Sequence, residues 1–323
     1  MIDTSKVILK THRAILRSFK EDDLYDLYAY ASEDGVGEMA GWPHHRTLED
    51  SRFFLRHYIE DHNTFAIKID GHVFGSISIG DIQFKLKDED KDKSHVEVGY
   101  VLAKDLWGKG IMTEVLYEVI KWLFTSRHID LIFSGNFKGN TRSKRVQEKC
   151  GLKHYLYQSY KTKIGTYEDE EIMCIRKGDT IYITDDLSLI PYYEAYDTTL
   201  KWYEDKDLVK NIDNRDGIYT LDLLKKMYDY LDNNGFLFYI HYDNKIIGDI
   251  TLLDNGEIAI AISRPYQGKH IGRSCVKALI AKARTLGYSE VKMRIYPFNI
   301  QSQKMALACG FKRVDDERYV LNI

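Results

Sequence analysis

The stretch Val96–Leu116, VEVGYVLAKDLWGKGIMTEVL, reads as a strand that runs into a glycine-bearing turn and opens an amphipathic helix. Val96 to Leu102 is a short apolar run, Trp107-Gly108-Lys109-Gly110 interrupts it, and Val115, Leu116, Val119, Ile120 and Leu123 then recur at helical spacing. Gly108 and Gly110 let a ligand come close to the backbone. Bare N–H groups at the start of such a helix, with the positive end of its dipole behind them, suit a phosphate. The patterns GxxxxGK[ST] and GxGxxG are both absent, so neither a triphosphate loop nor a dinucleotide fingerprint is present. A different pyrophosphate-bearing cofactor is indicated.

A second version, EIAIAISRPYQGKHIGRSCVKAL, occupies Glu257–Leu279. It sets Glu257 against Glu97 and Gln267 against Trp107. Further on, NTRSKRVQEKCGL (Asn140–Leu152) meets NIQSQKMALACGF (Asn299–Phe311), with Asn140/Asn299, Ser143/Ser302, Cys150/Cys309 and Gly151/Gly310 identical and the register kept to within one residue. Upstream, Phe65–Ile69 and Val73–Ile79 flank Asp70-Gly71 as a hairpin. Phe236–His241 and Lys245–Leu253 flank Asp243-Asn244 in the same way, with Gly248 answering Gly75. Duplication of a whole domain explains all of these matches. The likeliest junction is Lys177-Gly178-Asp179, which divides the chain into domains 1–177 and 178–323.

Other elements follow from local pattern. Val7–Arg17 reads as one strand, and the acidic turn Glu21-Asp22-Asp23 introduces a helix with Leu24, Leu27, Tyr28 and Ala31 on one face. Thr47 and Asp50 form a capping box for a second helix carrying Phe54, Leu55, Tyr58 and Ile59. Lys85–Lys93, KLKDEDKDK, has the composition of a solvated loop. Strands are expected at Asp130–Ser134, His154–Tyr160 and Glu170–Ile175, and a helix at Asn140–Cys150 that ends on Gly151.

Composition narrows the partners. The 323 residues carry 46 basic and 49 acidic side chains, a formal charge of −3, which provides no field for nucleic acid or an anionic membrane. The first residues, MIDTSKVILKTHRAILR, hold no apolar run of signal-peptide or membrane-span length, and the expectation is a cytoplasmic protein. The four cysteines form neither a CxxC pair nor a metal-ligand cluster, so no metal is expected. No feature of the sequence sets an oligomeric state.

Strand, phosphate turn, helix, strand and then an Asn-x-x-Ser helix ending in Gly and a hydrophobic residue resemble the GNAT superfamily of acyl-CoA-dependent N-acetyltransferases, in both halves. LRSFKEDD, AGWPHHRTLEDSR, EVGY and WGKGIMTE make the first half particularly similar to the branch that acetylates ribosomal-protein N-terminal alanines. The resemblance implies an α/β (α+β) architecture: two tandem domains, each a mixed, mostly antiparallel sheet flanked by helices. It also implies acetyl-CoA as cofactor. In that family the turn reads Gln/Arg-x-x-Gly-x-Gly/Ala; the first half has Trp107, Gly110 and Met112 at those places and the second has Gln267, His270 and Gly272.

The coenzyme would then meet Val98 and Gly99, Trp107, Gly108, Lys109, Gly110, Ile111, Met112, Thr113 and Asn140 in the first half. In the second it would meet Gln267, Gly268, Lys269, His270, Ile271, Gly272, Arg273 and Asn299. An amine acceptor reaches the enzyme as an ammonium ion and must lose a proton before attack, so Glu97 and Glu257 are the candidate bases. Many members place a tyrosine seven residues after the helix Asn to protonate the leaving thiolate. Gln147 and Ala306 stand there instead, and Ser143 and Ser302 are the suggested substitutes. In purely structural roles Glu97 is a solvent-facing or salt-bridged carboxylate and Asn140 a helix cap, while Tyr28, Tyr30 and Trp42 are either core aromatics or the lining of an acceptor pocket. The acceptor is a protein N-terminus or a small molecule, with an aminoglycoside-type detoxifier as the alternative. One half could also be a non-catalytic acyl-CoA-binding or dimer-like module.

Overall fold

The computed structural model describes residues 2–323 and divides into two compact units, one running to Lys177 and the other starting at Gly178. In the first unit the elements are β1 (Leu9–Lys10), β2 (Ile15–Ser18), α1 (Leu24–Ala31), α2 (Leu48–Asp61), β3 (Thr64–Ile69), β4 (His72–Gly80), β5 (His95–Leu102), α3 (Ile111–Ser126), β6 (Leu131–Phe137), α4 (Thr141–Lys149), β7 (Lys153–Lys161) and β8 (Tyr167–Arg176). They build one sheet in the order β1-β2-β3-β4-β5-β6-β8-β7, antiparallel throughout except between β5 and β6.

The second unit has β9 (Ile181–Tyr182), β10 (Leu187–Pro191), α5 (Tyr196–Tyr203), α6 (Lys206–Asp213), α7 (Leu221–Asn233), β11 (Gly235–Tyr242), β12 (Lys245–Leu253), β13 (Ile258–Ile262), α8 (Ile271–Thr285), β14 (Glu290–Arg294), α9 (Ile300–Ala308), β15 (Lys312–Arg313) and β16 (Arg318–Asn322). Its strands form the sheets β13-β12-β11-β10-β9 and β14-β16-β15, joined by a parallel bridge between Glu257 and Lys292. That bridge occupies the place of the parallel contact between Glu97 and Phe133 in the first unit.

Local chemistry accounts for these elements. The Thr47 hydroxyl accepts from the Asp50 N–H while the Asp50 carboxylate accepts from the Thr47 N–H, which closes the capping box of α2. Asp70 and Gly71, like Asp243 and Asn244, all take positive φ, the conformation a two-residue hairpin turn needs. The whole apolar stripe of α3 is buried, together with Met112, Trp122 and Phe124. Gly75 and Gly248 stand opposite Leu102 and Ile262 at the same point of the two hairpins. A Cβ at either would overlap a main-chain oxygen of the adjacent strand, that of Val101 or Ala261.

Three readings from the sequence need correction. Val7–Arg17 is two short strands, because Thr11 turns the chain: its N–H donates to the Ala14 carbonyl and its hydroxyl accepts from the Ala14 N–H. In α1 it is Tyr30 that is buried, while Tyr28 is only half-buried. Lys85–Lys93 is no simple solvated loop. Asp90 is fully buried, paired with Arg176 (3.0 Å to Nη2) and accepting from the Tyr155 hydroxyl (3.1 Å), and these charge-assisted bonds hold its carboxyl down at about 2. Charge alternation in the sequence does not reveal that an arginine on β8 waits for one of these aspartates. Among the described residues no helix is long and apolar enough to cross a membrane.

Candidate active site

β5 and β6 are in register at only three pairs, His95 with Leu131, Val96 with Ile132 and Glu97 with Phe133. Beyond them β5 continues to Leu102 along β4, and β6 continues to Phe137 along β8. The two strands therefore part like a V whose apex is Glu97. From Val98 onward the β6-facing edge of β5 offers main-chain groups that no strand takes up, and Val98 and Gly99 lie there.

Glu97 and Phe133, opposite each other, share a face of the sheet with Gly135 and Phe137, by the two-residue period of a strand. The Glu170 carboxylate of β8 lies over Gly135, where any Cβ would overlap it, and accepts from Gln158 Nε2 at 2.7 Å. Burial first, and then the negative charge of Glu170, push the Glu97 carboxyl up to about 7. Burial likewise raises Glu170, and Tyr160 is raised by burial and by both carboxylates. Glu97, Glu170 and Tyr160 thus form one electrostatic group. Glu170 and Tyr160 were not legible in the sequence: in YEDEEIMC four consecutive residues are acidic, and nothing local says which one faces the V.

The two turns are built alike. Gly108 and Gly110 take φ of 72° and 75°, and Gly268 and His270 take 74° and 62°. No side chain caps α3 or α8, so their first N–H groups are available to a ligand. Trp107 Nε1 donates to the Leu102 carbonyl at 2.6 Å, and Gln267 Nε2 donates to the Ile262 carbonyl at 2.7 Å. Trp107 departs from the family pattern yet makes the same hydrogen bond as Gln267: either side chain pins the strand end to the turn. In the first unit Arg13 Nη1 donates to the Lys109 carbonyl while its Nε pairs with buried Glu114 at 2.8 Å. Ile111 and Ile271 are buried side chains, so these residues offer only their main-chain N–H.

Met112 and Gly272 make the two units differ. Met112 is buried. Gly272 instead lines a cleft of about 770 Å³, with Ile260 and Ile262 beneath it and Gln267, Gly268, His270, Ile271, Arg273, Asn299 and Ser302 around it. Nε of Arg273 is buried there without a partner. Lys269 packs its ammonium over the Tyr266 ring at 5.3 Å. Asp205 caps α6 and, with Asp207, faces Arg264, while Asp213 accepts from the Tyr219 hydroxyl, so the acidic residues of this region have structural partners.

At the start of α4 the Asn140 side-chain oxygen Oδ1 accepts from the Ser143 N–H (3.2 Å), and at α9 Asn299 Oδ1 does the same for Ser302 (3.1 Å). Their amides reach the carbonyls of Met39 and Asn211. Both asparagines are thus helix caps tied to the early part of their own unit. Ser143 Oγ lies 2.9 Å from the Tyr100 hydroxyl and 3.4 Å from Gln147 Nε2, and buried Gln147 bonds Ser134, the Gly135 carbonyl and Asn136. Tyr30 is core, and Trp42 is half-buried, its ring centroid 5.2 Å from that of His45 and 6.2 Å from that of Phe54.

The family described as "Acetyltransferase (GNAT) domain" matches this sequence twice, at residues 13–153 and 186–312. The chain belongs to the GNAT acetyltransferase family, and each unit is a copy of its domain. Among curated relatives, "Uncharacterized N-acetyltransferase YoaA" of Bacillus subtilis (strain 168) is 25% identical over 179 residues, covering 53% of this chain and 97% of that protein. "Probable N-acetyltransferase YjcK" of the same organism is 35% identical over 83 residues, 25% of this chain and 46% of its own length. Of solved structures, the "Ribosomal-protein-S5-alanine Acetyltransferase from Vibrio fischeri" is 20% identical, covers 54% of this chain and 98% of its own, and has a TM-score of 0.44.

Proposed function

We propose that the first unit transfers an acetyl group from acetyl-CoA to a primary amine by direct attack, with Glu97 as the base. The observation that carries this reading is the position and charge of Glu97. It stands at the apex of the V, half-buried, with its carboxyl near 7, so it can take a proton from an ammonium ion at neutral pH.

Acetyl-CoA, the acyl donor of this family, supplies an activated thioester. The residues present fit it. Uncapped helix starts behind Gly108–Gly110 and Gly268–His270 suit a pyrophosphate, the space before Gly108 and Gly268 is open, and the unpartnered Arg273 Nε supports an anion in the second unit. Lys109, Thr113 and Arg273 flank these turns. Successive N–H groups of a strand face alternate edges, so one of Val98 and Gly99 offers its N–H at the free edge of β5 to polarise the thioester carbonyl. Ser143 then donates a hydrogen bond to the departing sulfur.

An acceptor on the Glu97 face meets Glu170, Tyr160 and Phe137, an anionic and aromatic surface that favours a cationic amine, whether a protein N-terminus or a small molecule. A cytoplasmic setting, where acetyl-CoA is plentiful, accords with this reading. The test is release of free thiol from acetyl-CoA against a panel of peptides, polyamines and aminoglycosides. Turnover that disappears in Glu97→Gln is expected. Firm coenzyme binding with no turnover on any amine would sink the reading.

A further inference from the structure

Behind Ser143 lies a largely buried polar network that the second unit lacks. In the first unit Tyr100 reaches from β5 to α4, its hydroxyl 2.9 Å from Ser143 Oγ, and Gln147 links Ser143 through Ser134 and Asn136 to β6. Carried through the repeat, these places fall on Ile260, Ser302, Ala306, Met293 and Ile295. Ala306, Met293 and Ile295 belong to the dry core of the second unit, and Ile260 packs against it. Only the serine survives. A polar network that is costly to bury unless bonded is present in one copy, and apolar core stands at its places in the other.

Chemistry gives the retained copy a use. As the nitrogen–carbon bond forms, the carbon–sulfur bond breaks and its electron pair goes to sulfur; Glu97 takes the ammonium proton, and the second proton lost by nitrogen ends on sulfur. A hydroxyl that must face the sulfur has to be kept from turning elsewhere. The Tyr100 hydroxyl lies 2.9 Å from Ser143 Oγ and 3.2 Å from the Ser143 carbonyl and can give its proton to one of them only; given to Oγ, it leaves the Ser143 proton to face the sulfur.

We propose that Tyr100 is the positioning residue that holds Ser143 toward the departing thiolate, and that the second unit, with Ile260 in its place, binds coenzyme without turning it over. This rests on the function proposed above. The second unit keeps a cleft of about 770 Å³ lined by Gly272 and Ser302, space for a ligand without the polar network behind its serine.

The full chain and Tyr100→Phe, Ser143→Ala, the double variant and Glu97→Gln are compared by thiol release with an amine the wild type accepts, and by calorimetric titration with coenzyme A. Tyr100→Phe lowers kcat about 10-fold or more, with KM for both substrates within about 2-fold. Because the assay reads both units together, a fall of that size also requires the second unit to contribute little. Ser143→Ala gives a similar loss, and the double variant loses no more than either single one. Titration gives two coenzymes per chain, in the wild type and in Tyr100→Phe. The proposal is overturned if Tyr100→Phe keeps half of kcat or more, if the two losses multiply, or if only one coenzyme binds. Should Glu97→Gln abolish turnover while Tyr100→Phe does not, the function stands and this inference alone fails. Full turnover in Glu97→Gln overturns both.

Discussion

Glu97 faces Phe133 across the last pair that β5 and β6 hold in register, and the cleft of the first unit opens from that pair. A carboxylate at such an apex is shielded by both strands, which is why burial is the larger cause of its raised pKa and Glu170 the smaller.

The rate should follow that carboxyl. kcat/KM for acetyl transfer rises with pH through about 7 as Glu97 deprotonates. In Glu170→Gln the like charge is gone and the rising limb moves to lower pH, by the smaller part of the shift only. A pH–rate profile of the two proteins checks this. An unmoved limb would show that the two carboxylates do not interact.

Trp107 and Gln267 predict an asymmetric tolerance. Each donates one N–H to a carbonyl at the end of the preceding strand, so Trp107→Gln keeps the bond and retains coenzyme affinity to within a few-fold. Trp107→Leu, which cannot donate, leaves the Leu102 carbonyl without this partner and weakens binding by roughly 10-fold, the value of about 1.4 kcal/mol for a lost hydrogen bond. Calorimetric titration of both variants decides it.

Gly75 and Gly248 are set by steric contact. Their Cβ positions are filled by the carbonyl oxygens of Val101 and Ala261, in rigid strand backbone that cannot step aside. Alanine at either should cost about 2–3 kcal/mol by overpacking. At Gly108 the space is open and only the positive φ resists a side chain, so Gly108→Ala costs about 1 kcal/mol. Urea unfolding, read as separate transitions for the two units, measures each; Gly248→Ala should move only the transition of the second.

Asp249 makes the second unit sensitive to mild acid in an unusual direction. It is 4% exposed and accepts from the hydroxyls of Tyr203 and Tyr228, both at 2.8 Å. Burial nonetheless raises its carboxyl to about 6, the tyrosines offsetting only part of that. Unfolded, the group releases its proton near 3.8, the ordinary value of an aspartate side chain. Between these values the folded state holds a proton that the unfolded state has lost, so stability falls as pH rises from about 4 to about 6, by at most about 3 kcal/mol, and is level above. Asp249→Asn should remove that slope, as followed by denaturant midpoints across this range. The corresponding residue of the first unit is Ser76, which Tyr30 and Tyr58 approach, so the first unit lacks the effect.

Much of this protein was legible in the chain alone. Caps, hairpin turns and helical stripes depend on residues a few positions apart, and Thr47 with Asp50, Asp70-Gly71 and the α3 stripe form as their spacing requires. The duplication was legible for a different reason: two copies of one pattern can be compared without knowing what either does. It brought Glu97 and Glu257, Asn140 and Asn299 into correspondence, and the paired strands keep that correspondence, with Glu97 opposite Phe133 and Glu257 bridged to Lys292.

Tertiary structure decided what stands around those residues. Glu170 comes over Gly135 from a strand that follows the whole α3–β7 segment, Arg176 reaches back to bury Asp90, and Tyr100 crosses to Ser143 on another element. None of these contacts has a sequence period, because each joins residues far apart in the chain that only the packing of separate elements brings together. The sequence could name Val96–Leu116 as strand, turn and helix. Only the parting of β5 from β6 at Glu97 made its end a cleft with a carboxyl raised to about 7, and the partners of Ser143 are among the features that distinguish one copy of that cleft from the other.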